Sequence, residues 1–149
     1  EMGEIWVRGP GVVSGEEWLR TGDLATRDEN GCFFFFVRAN SLIYTAGELV
    51  APPTVERALR SLDVVSDAFV VGLPDERWGQ IVAALIVPSP AGRAQASSMN
   101  AAALSEALSE SLAPWEKVRR IAVVDELPTT ATGKPDPLGA AELFSASER

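Results

Sequence analysis

Three short stretches of this sequence carry side chains able to act on a small anionic molecule. In Thr21-Gly22-Asp23 a carboxylate sits beside a glycine. There it can accept hydrogen bonds from two vicinal hydroxyls, as on a ribose, or serve only as a turn former. In Val37-Arg38-Ala39-Asn40 a guanidinium closes a Phe-rich run; it can hold an anion or take part in a structural ion pair. In Thr129-Thr130-Ala131-Thr132-Gly133-Lys134 two kinds of polar group, hydroxyl and ammonium, flank a glycine. A Lys so placed is a mobile point charge for phosphate or carboxylate oxygens, or a solvated loop residue. It does not form a P-loop, because the pattern Gly-x-x-x-x-Gly-Lys-Ser/Thr is absent.

The residues that are missing narrow the chemistry further. The 149 residues include no histidine and one cysteine, Cys32. Ser-His and Cys-His catalysis, His-ligated metals, internal disulfides and thiolate clusters are thereby excluded from this chain. The net charge of −8 argues against binding a nucleic-acid backbone, which needs clustered Lys and Arg. An apolar fraction of 46% suffices for a core. No apolar run reaches the ~18 to 20 residues needed to cross a bilayer, and Glu1 to Arg8 do not resemble a signal peptide, so a cytoplasmic location is expected. The chain opens in mid-pattern at Gly3-Glu4-Ile5-Trp6-Val7-Arg8, and we expect it to be cut from something longer.

Stepping outward, Ile5 and Val7 read as a strand ending at Gly9-Pro10-Gly11, and Trp18 to Leu24 as a short extended run. Asp28-Glu29-Asn30-Gly31 predicts a hairpin with positive φ at both central turn residues. The run from Cys32 to Val37, with four consecutive Phe, predicts a strand buried on both faces or at a packed edge. Leu42-Ile43-Tyr44 predicts another strand. Pro52-Pro53 opens a helix with Val55, Ala58, Leu59 and Leu62 on one face. Ala68 to Leu73 and Ile81 to Val87 are strands, and Pro88 to Ser98 reads as a surface linker. Asn100 caps a helix with Leu104, Ala107, Leu108 and Leu112 inward. Ile121 to Val124 is the last strand, and Leu127 to Pro137 a loop.

Taken together, the order and spacing of several motifs resemble the adenylate-forming superfamily over roughly residues 2 to 138. These are Gly3-Glu4-Ile5-Trp6-Val7-Arg8-Gly9-Pro10, Trp18-Leu19-Arg20-Thr21-Gly22-Asp23-Leu24, Phe36-Val37-Arg38-Ala39, Gly47-Glu48, Pro74-Asp75-Glu76-Arg77-Trp78-Gly79 and Leu127 to Lys134. The acyl- and aryl-CoA synthetase branch is the nearest in look. The resemblance implies a small α+β C-terminal domain with a three-stranded mixed sheet flanked by helices plus a two-stranded hairpin. An all-β remnant of a large N-terminal domain precedes it. The corresponding ranges are 1–38 for the remnant and 39–149 for a mobile C-terminal domain.

The resemblance also implies a reaction and its participants. A carboxylic acid attacks the α-phosphate of ATP to give an acyl-adenylate, and a thiol, usually of CoA, then takes the acyl group. Asp23 matches the family's ribose-binding Asp and Arg38 its nucleotide-contacting Arg. Lys134 matches the catalytic Lys of the first step, Asn40 the hinge, and Gly47 and Glu48 the thiol-side loop. The Mg2+ ligand, phosphate loop and acyl pocket are expected upstream, in an N-terminal adenylation domain that would be this chain's partner. The isolated chain is therefore expected to be inactive and prone to self-association.

Certain positions depart from the family. Val37 stands for a usual Gly, Tyr44 for a frequent Lys, Ala46 for the first of two frequent Gly, and Trp115-Glu116-Lys117-Val118 for Tyr-Lys-Val-Pro. They bear on the thiol acceptor more than on adenylation. Two alternatives follow from them: a non-catalytic interaction domain that kept the fold, and an adenylation domain with a non-CoA acceptor.

Overall fold

The computed structural model describes residues 2–12 and 18–146. These divide into two compact units between Leu42 and Ile43. The expected ranges 1–38 and 39–149 also include residues 1, 13–17 and 147–149, which lie outside the described residues.

The first unit is an antiparallel sheet in the order β1 (Met2–Val7), β2 (Leu19–Arg27), β3 (Phe33–Arg38). A short 3-10 turn, Ala39–Ser41, follows β3. Among its described residues only Ala25 and Val37 are buried hydrophobics. The Phe run is not buried on both faces in this chain, in keeping with the exposed edge that the expected self-association implies. Phe33, Phe34 and Phe35 are 65%, 56% and 63% exposed. Successive strand residues face opposite sides, and among the described residues of this unit no second layer covers either side of the edge strand β3. The β2–β3 turn also differs from expectation. Gly31 has φ +84, but Asn30 does not take positive φ. The loop is closed instead by the Asp28 carboxylate, whose Oδ1 accepts from the amides of Asn30 and Cys32 at 2.9 and 2.8 Å.

The second unit is α+β. Its sheet runs β5 (Glu48–Val50), β4 (Ile43–Thr45), β7 (Gly79–Pro88), β6 (Val65–Asp75), with β8 (Arg120–Val123) parallel to β7. The three strands β6, β7 and β8 form the mixed sheet; β4 and β5 form the two-stranded hairpin. A single bridge, Thr45 with Gly79, joins the two. Residues 68–73 of β6 and 81–88 of β7 are apolar runs because both faces of the sheet are covered there. On one face lie α1 (Pro52–Arg60) and α3 (Ala101–Ala107), with Val55, Leu59 and Leu104 against Val70, Val82 and Ile86. On the other lies α4 (Pro137–Ala146), with Ala140 and Phe144 against Val71, Ala83 and Leu85.

Local rules account for the helix starts. Prolines fill the first turn of α1, where a missing N–H costs nothing. The Asn100 side chain accepts from the Ala103 amide at 2.9 Å and caps α3. Helix α1 is tied to β6 through Glu56, which accepts from the Val70 amide, and Arg60, whose Nε lies 2.8 Å from Oδ1 of Asp67.

The stretch expected as a linker is ordered structure: helix α2 (Pro90–Arg93) and a 3-10 turn at Ala96–Ser98. Gly92 is buried there, and a Cβ on it would collide with the carbonyl of Val64. Ser89 caps α2 by accepting from the Gly92 amide at 3.0 Å and donates to the Asp63 carbonyl at 2.6 Å. No helix among the described residues is long and apolar enough to cross a membrane.

Candidate functional site

Within the first unit, the register of β2 and β3 sets Asp23 opposite Arg38. Nε of Arg38 lies 2.7 Å from Oδ1 of Asp23, and its Nη1 donates to the carbonyl of Thr21 at 3.1 Å. Thr21 locks the turn from the other direction. Its hydroxyl accepts from the Asp23 amide at 3.0 Å and donates to the Ile5 carbonyl on β1 at 2.8 Å. Gly22 between them takes φ +75, a conformation that favours glycine. Two of the residues singled out by sequence are thus brought together. Thr21, which holds both, belongs to the same tripeptide, though its residue type alone does not single it out. A hydroxyl two residues before the Asp, the ST-turn pattern, was the available signal.

Beside this pair, Glu4 of β1 and Arg20 of β2 form a second ion pair at 2.7 Å, with the Arg20 guanidinium 5.3 Å from the centre of the Trp6 ring. The hydrogen bond from Arg20 holds the Glu4 carboxyl below its ordinary value of 4.5, and Glu4 in turn raises the Arg20 pKa.

In the second unit, the Lys134 loop is a tight hairpin and not a free loop. Thr129 bridges Pro135, the Thr130 amide donates to the Lys134 carbonyl at 2.8 Å, and the Gly133 amide returns to the Thr130 carbonyl at 2.8 Å. Gly133 has φ +76, as in a three-residue hairpin loop whose last position is left-handed. The Thr130 and Thr132 hydroxyls lie 3.0 Å apart. Lys134 is exposed at the end of this hairpin.

The turn Thr45-Ala46-Gly47-Glu48 links β4 to β5. Ala46 has φ +54 and Gly47 φ +87. Two successive positive φ values are the geometry of a type I′ hairpin turn, which suits Gly at both positions. Ala46 therefore sits in a conformation costing roughly 1–2 kcal/mol for a residue with a Cβ. The turn is held against the β6–β7 hairpin: the Ala46 amide donates to the Trp78 carbonyl at 3.0 Å, and the Tyr44 amide to Oε1 of Gln80 at 2.8 Å. Trp78 in turn carries the guanidiniums of Arg77 and Arg119 at 4.6 and 4.7 Å from its ring centre. Asn40 lies in the 3-10 turn just before the second unit. Among the described residues no group of three or more Asp, Glu, Cys or His could hold a metal ion.

Residues 54–134 match the family described as AMP-binding enzyme C-terminal domain. The chain is 33% identical over 146 residues to 4-coumarate--CoA ligase-like 6 of Arabidopsis thaliana, covering 89% of this chain and 25% of that protein. It is 36% identical over 151 residues to Medium/long-chain-fatty-acid--CoA ligase FadD8 of Mycobacterium tuberculosis, covering 91% of this chain and 26% of that protein. Among solved structures, o-succinylbenzoate CoA synthetase (MenE) from Bacillus subtilis, in complex with the acyl-adenylate intermediate OSB-AMP, matches with TM-score 0.75 and 30% identity. That match covers 94% of this chain and 30% of that one. The chain spans about a quarter of the length of the curated relatives it matches.

Proposed function

This chain belongs to the AMP-binding enzyme C-terminal domain family, and we propose that it is the C-terminal part of a carboxylate–CoA ligase. The ligase activates a carboxylic acid with ATP and passes the acyl group to CoA. The observation that carries this reading is the Asp23–Arg38 pair, fixed at 2.7 Å across one strand register with Thr21 holding both residues. A carboxylate set on a glycine turn and partnered by a guanidinium suits a nucleotide: Asp23 accepts from the ribose hydroxyls while Arg38 faces the same nucleotide.

In the first half-reaction an oxygen of the acid attacks the α-phosphorus of ATP, and the bond to pyrophosphate breaks. Lys134 brings an ammonium group to the acid and phosphate oxygens, where negative charge is shared in the transition state. The Gly133 turn keeps that ammonium on a defined hairpin. In the second half-reaction the CoA sulfur attacks the acyl carbon, AMP leaves, and the thiol proton passes to solvent or a neighbouring base. The turn carrying Gly47 and Glu48 lines the thiol side. The 3-10 turn containing Asn40, next to the division between the two units, supports a hinge there, so that residues 39–149 move against residues 1–38 and the upstream domain. ATP, Mg2+ and CoA are all required, and the Mg2+ ligand lies upstream. The isolated chain is inactive for want of that domain.

The test is product formation by the full-length protein that contains this chain. A panel of carboxylic acids with ATP, Mg2+ and CoA should yield AMP and an acyl-CoA thioester from at least one acid. AMP formation from an acid with no thioester points to a different acceptor, which Tyr44 and Ala46 in the thiol-side hairpin would favour. No acid-dependent product at all refutes the ligase reading.

A further inference from the structure

The thiol-side hairpin is joined to the β6–β7 sheet by very few bonds. The backbone ladder between β4 and β7 is one bridge long, Thr45 with Gly79. Beyond it, the Ala46 amide reaches the Trp78 carbonyl at 3.0 Å. At the next position along β4 the Tyr44 amide is met by a side chain: Oε1 of Gln80, at 2.8 Å. We propose that Gln80 is a positioning residue for the thiol-transfer step, setting the hairpin that carries Ala46, Gly47 and Glu48. The inference rests on the ligase reading above.

A second feature of the same corner makes this placement specific. The Gln80 amide lies across the face of Gly72 on β6, whose backbone pairs with Val82. A Cβ at Gly72 would stand 2.8 Å from Nε2 of Gln80 and 3.1 Å from Cγ2 of Ile43. The missing side chain at Gly72 thus leaves the space that the Gln80 amide occupies beside Ile43 of β4. Gly72 is not at positive φ, so its backbone does not call for glycine; the space does. The carboxamide closes a ladder that the backbone leaves open. It does so next to Ala46, where the turn is strained and most in need of an anchor. Gln80 acts through the hairpin and touches neither the acid nor the nucleotide. Its loss should therefore spare the first half-reaction and slow the second.

The experiment uses the full-length protein and its Gln80→Leu, Gln80→Glu and Gly72→Ala variants, with an acid the wild type accepts. ATP–pyrophosphate exchange reads the first half-reaction, and acyl-CoA formation reads the second. Removing one hydrogen bond of this kind is worth up to about tenfold, so Gln80→Leu should lower acyl-CoA formation by about that factor while exchange stays within about twofold. Gln80→Glu keeps an acceptor for the Tyr44 amide and should retain thioester formation. Gly72→Ala displaces the amide and should reproduce the Gln80→Leu split, with little further loss in the double variant. Equal loss of both half-reactions in Gln80→Leu, or unchanged thioester formation, overturns the proposal while leaving the ligase reading intact. A wild type that makes no thioester overturns the ligase reading, and this inference with it.

Discussion

Asp23 and Arg38 stand opposite each other in the register of β2 and β3, with Nε and Oδ1 2.7 Å apart. The pair is partly solvent-exposed, so its value to folding is small, about 0.2–1 kcal/mol for an exposed ion pair. Its geometry is nevertheless held from three sides, by Thr21, Gly22 and the strand register. A firmly held but weakly stabilising pair is what the proposed nucleotide contact would need.

That contrast gives the first prediction. Asp23→Asn in the full-length protein should lower kcat/KM for ATP by about tenfold or more, since a hydrogen bond to a charged group is worth roughly 1.5–3 kcal/mol. The midpoint of chemical unfolding should scarcely move. A large loss of stability with unchanged ATP kinetics would make the pair structural.

The turn between β4 and β5 gives the second. Ala46 holds φ +54 beside Gly47 at φ +87. Ala46→Gly removes the clash of a Cβ in that region and should raise stability by about 1 kcal/mol in urea unfolding. Ala46→Val should lower it, because a β-branched residue fits positive φ worst. A destabilised Ala46→Gly would mean that the turn is not left-handed.

The exposed edge gives the third. With Phe33, Phe34 and Phe35 all more than half exposed on an edge strand, the isolated chain should associate as concentration rises. Light scattering should show mass growing with concentration for the wild type, and a monomer for the double variant Phe33→Lys, Phe35→Lys. A monodisperse wild-type monomer across that range would contradict the prediction.

Acid gives the fourth. Glu4 is held below its ordinary 4.5 chiefly by the hydrogen bond from Arg20. The native state therefore binds fewer protons than the unfolded chain in this window. The stabilisation is fully present above 4.5 and is lost as pH falls through the lowered native value. Amide protection at the Trp6–Arg20 strand pair, taken relative to the intrinsic exchange rate at each pH, should fall over that range, and the Glu4→Gln variant should lose this pH dependence. An unchanged profile in Glu4→Gln would remove Glu4 as its source.

Much of the second unit was legible because its signals are local. The Val55 and Leu59 spacing, the Pro52-Pro53 start and the Asn100 cap each depend on neighbours within a turn or two. The Phe run misled because burial of a strand depends on a covering layer, which residues 33–36 do not themselves encode. Helix α4 went unforeseen: Gly139 and the Ala-rich stretch weaken its pattern, although Asp136 before Pro137 is a cap-and-first-turn pair. The stretch of 88–98 misled likewise, since Pro, Gly and Ser there serve a packed corner against Val64. At the site, Asp23 and Arg38 were singled out separately. Their meeting depends on a register that shifts between Leu24 and Ala25, and no local signal marks that shift. The Tyr44–Gln80 bond spans two hairpins and leaves no trace in sequence spacing.

The most direct test of the account concerns the ammonium on the Thr130–Lys134 hairpin. Carboxylate-dependent ATP–pyrophosphate exchange by the full-length protein should fall about a hundredfold or more in Lys134→Ala, the scale of losing one preorganised group at a charge-bearing transition state. Folding of the variant should be unchanged, because Lys134 is exposed. Exchange at the wild-type rate in Lys134→Ala would contradict the role assigned to it.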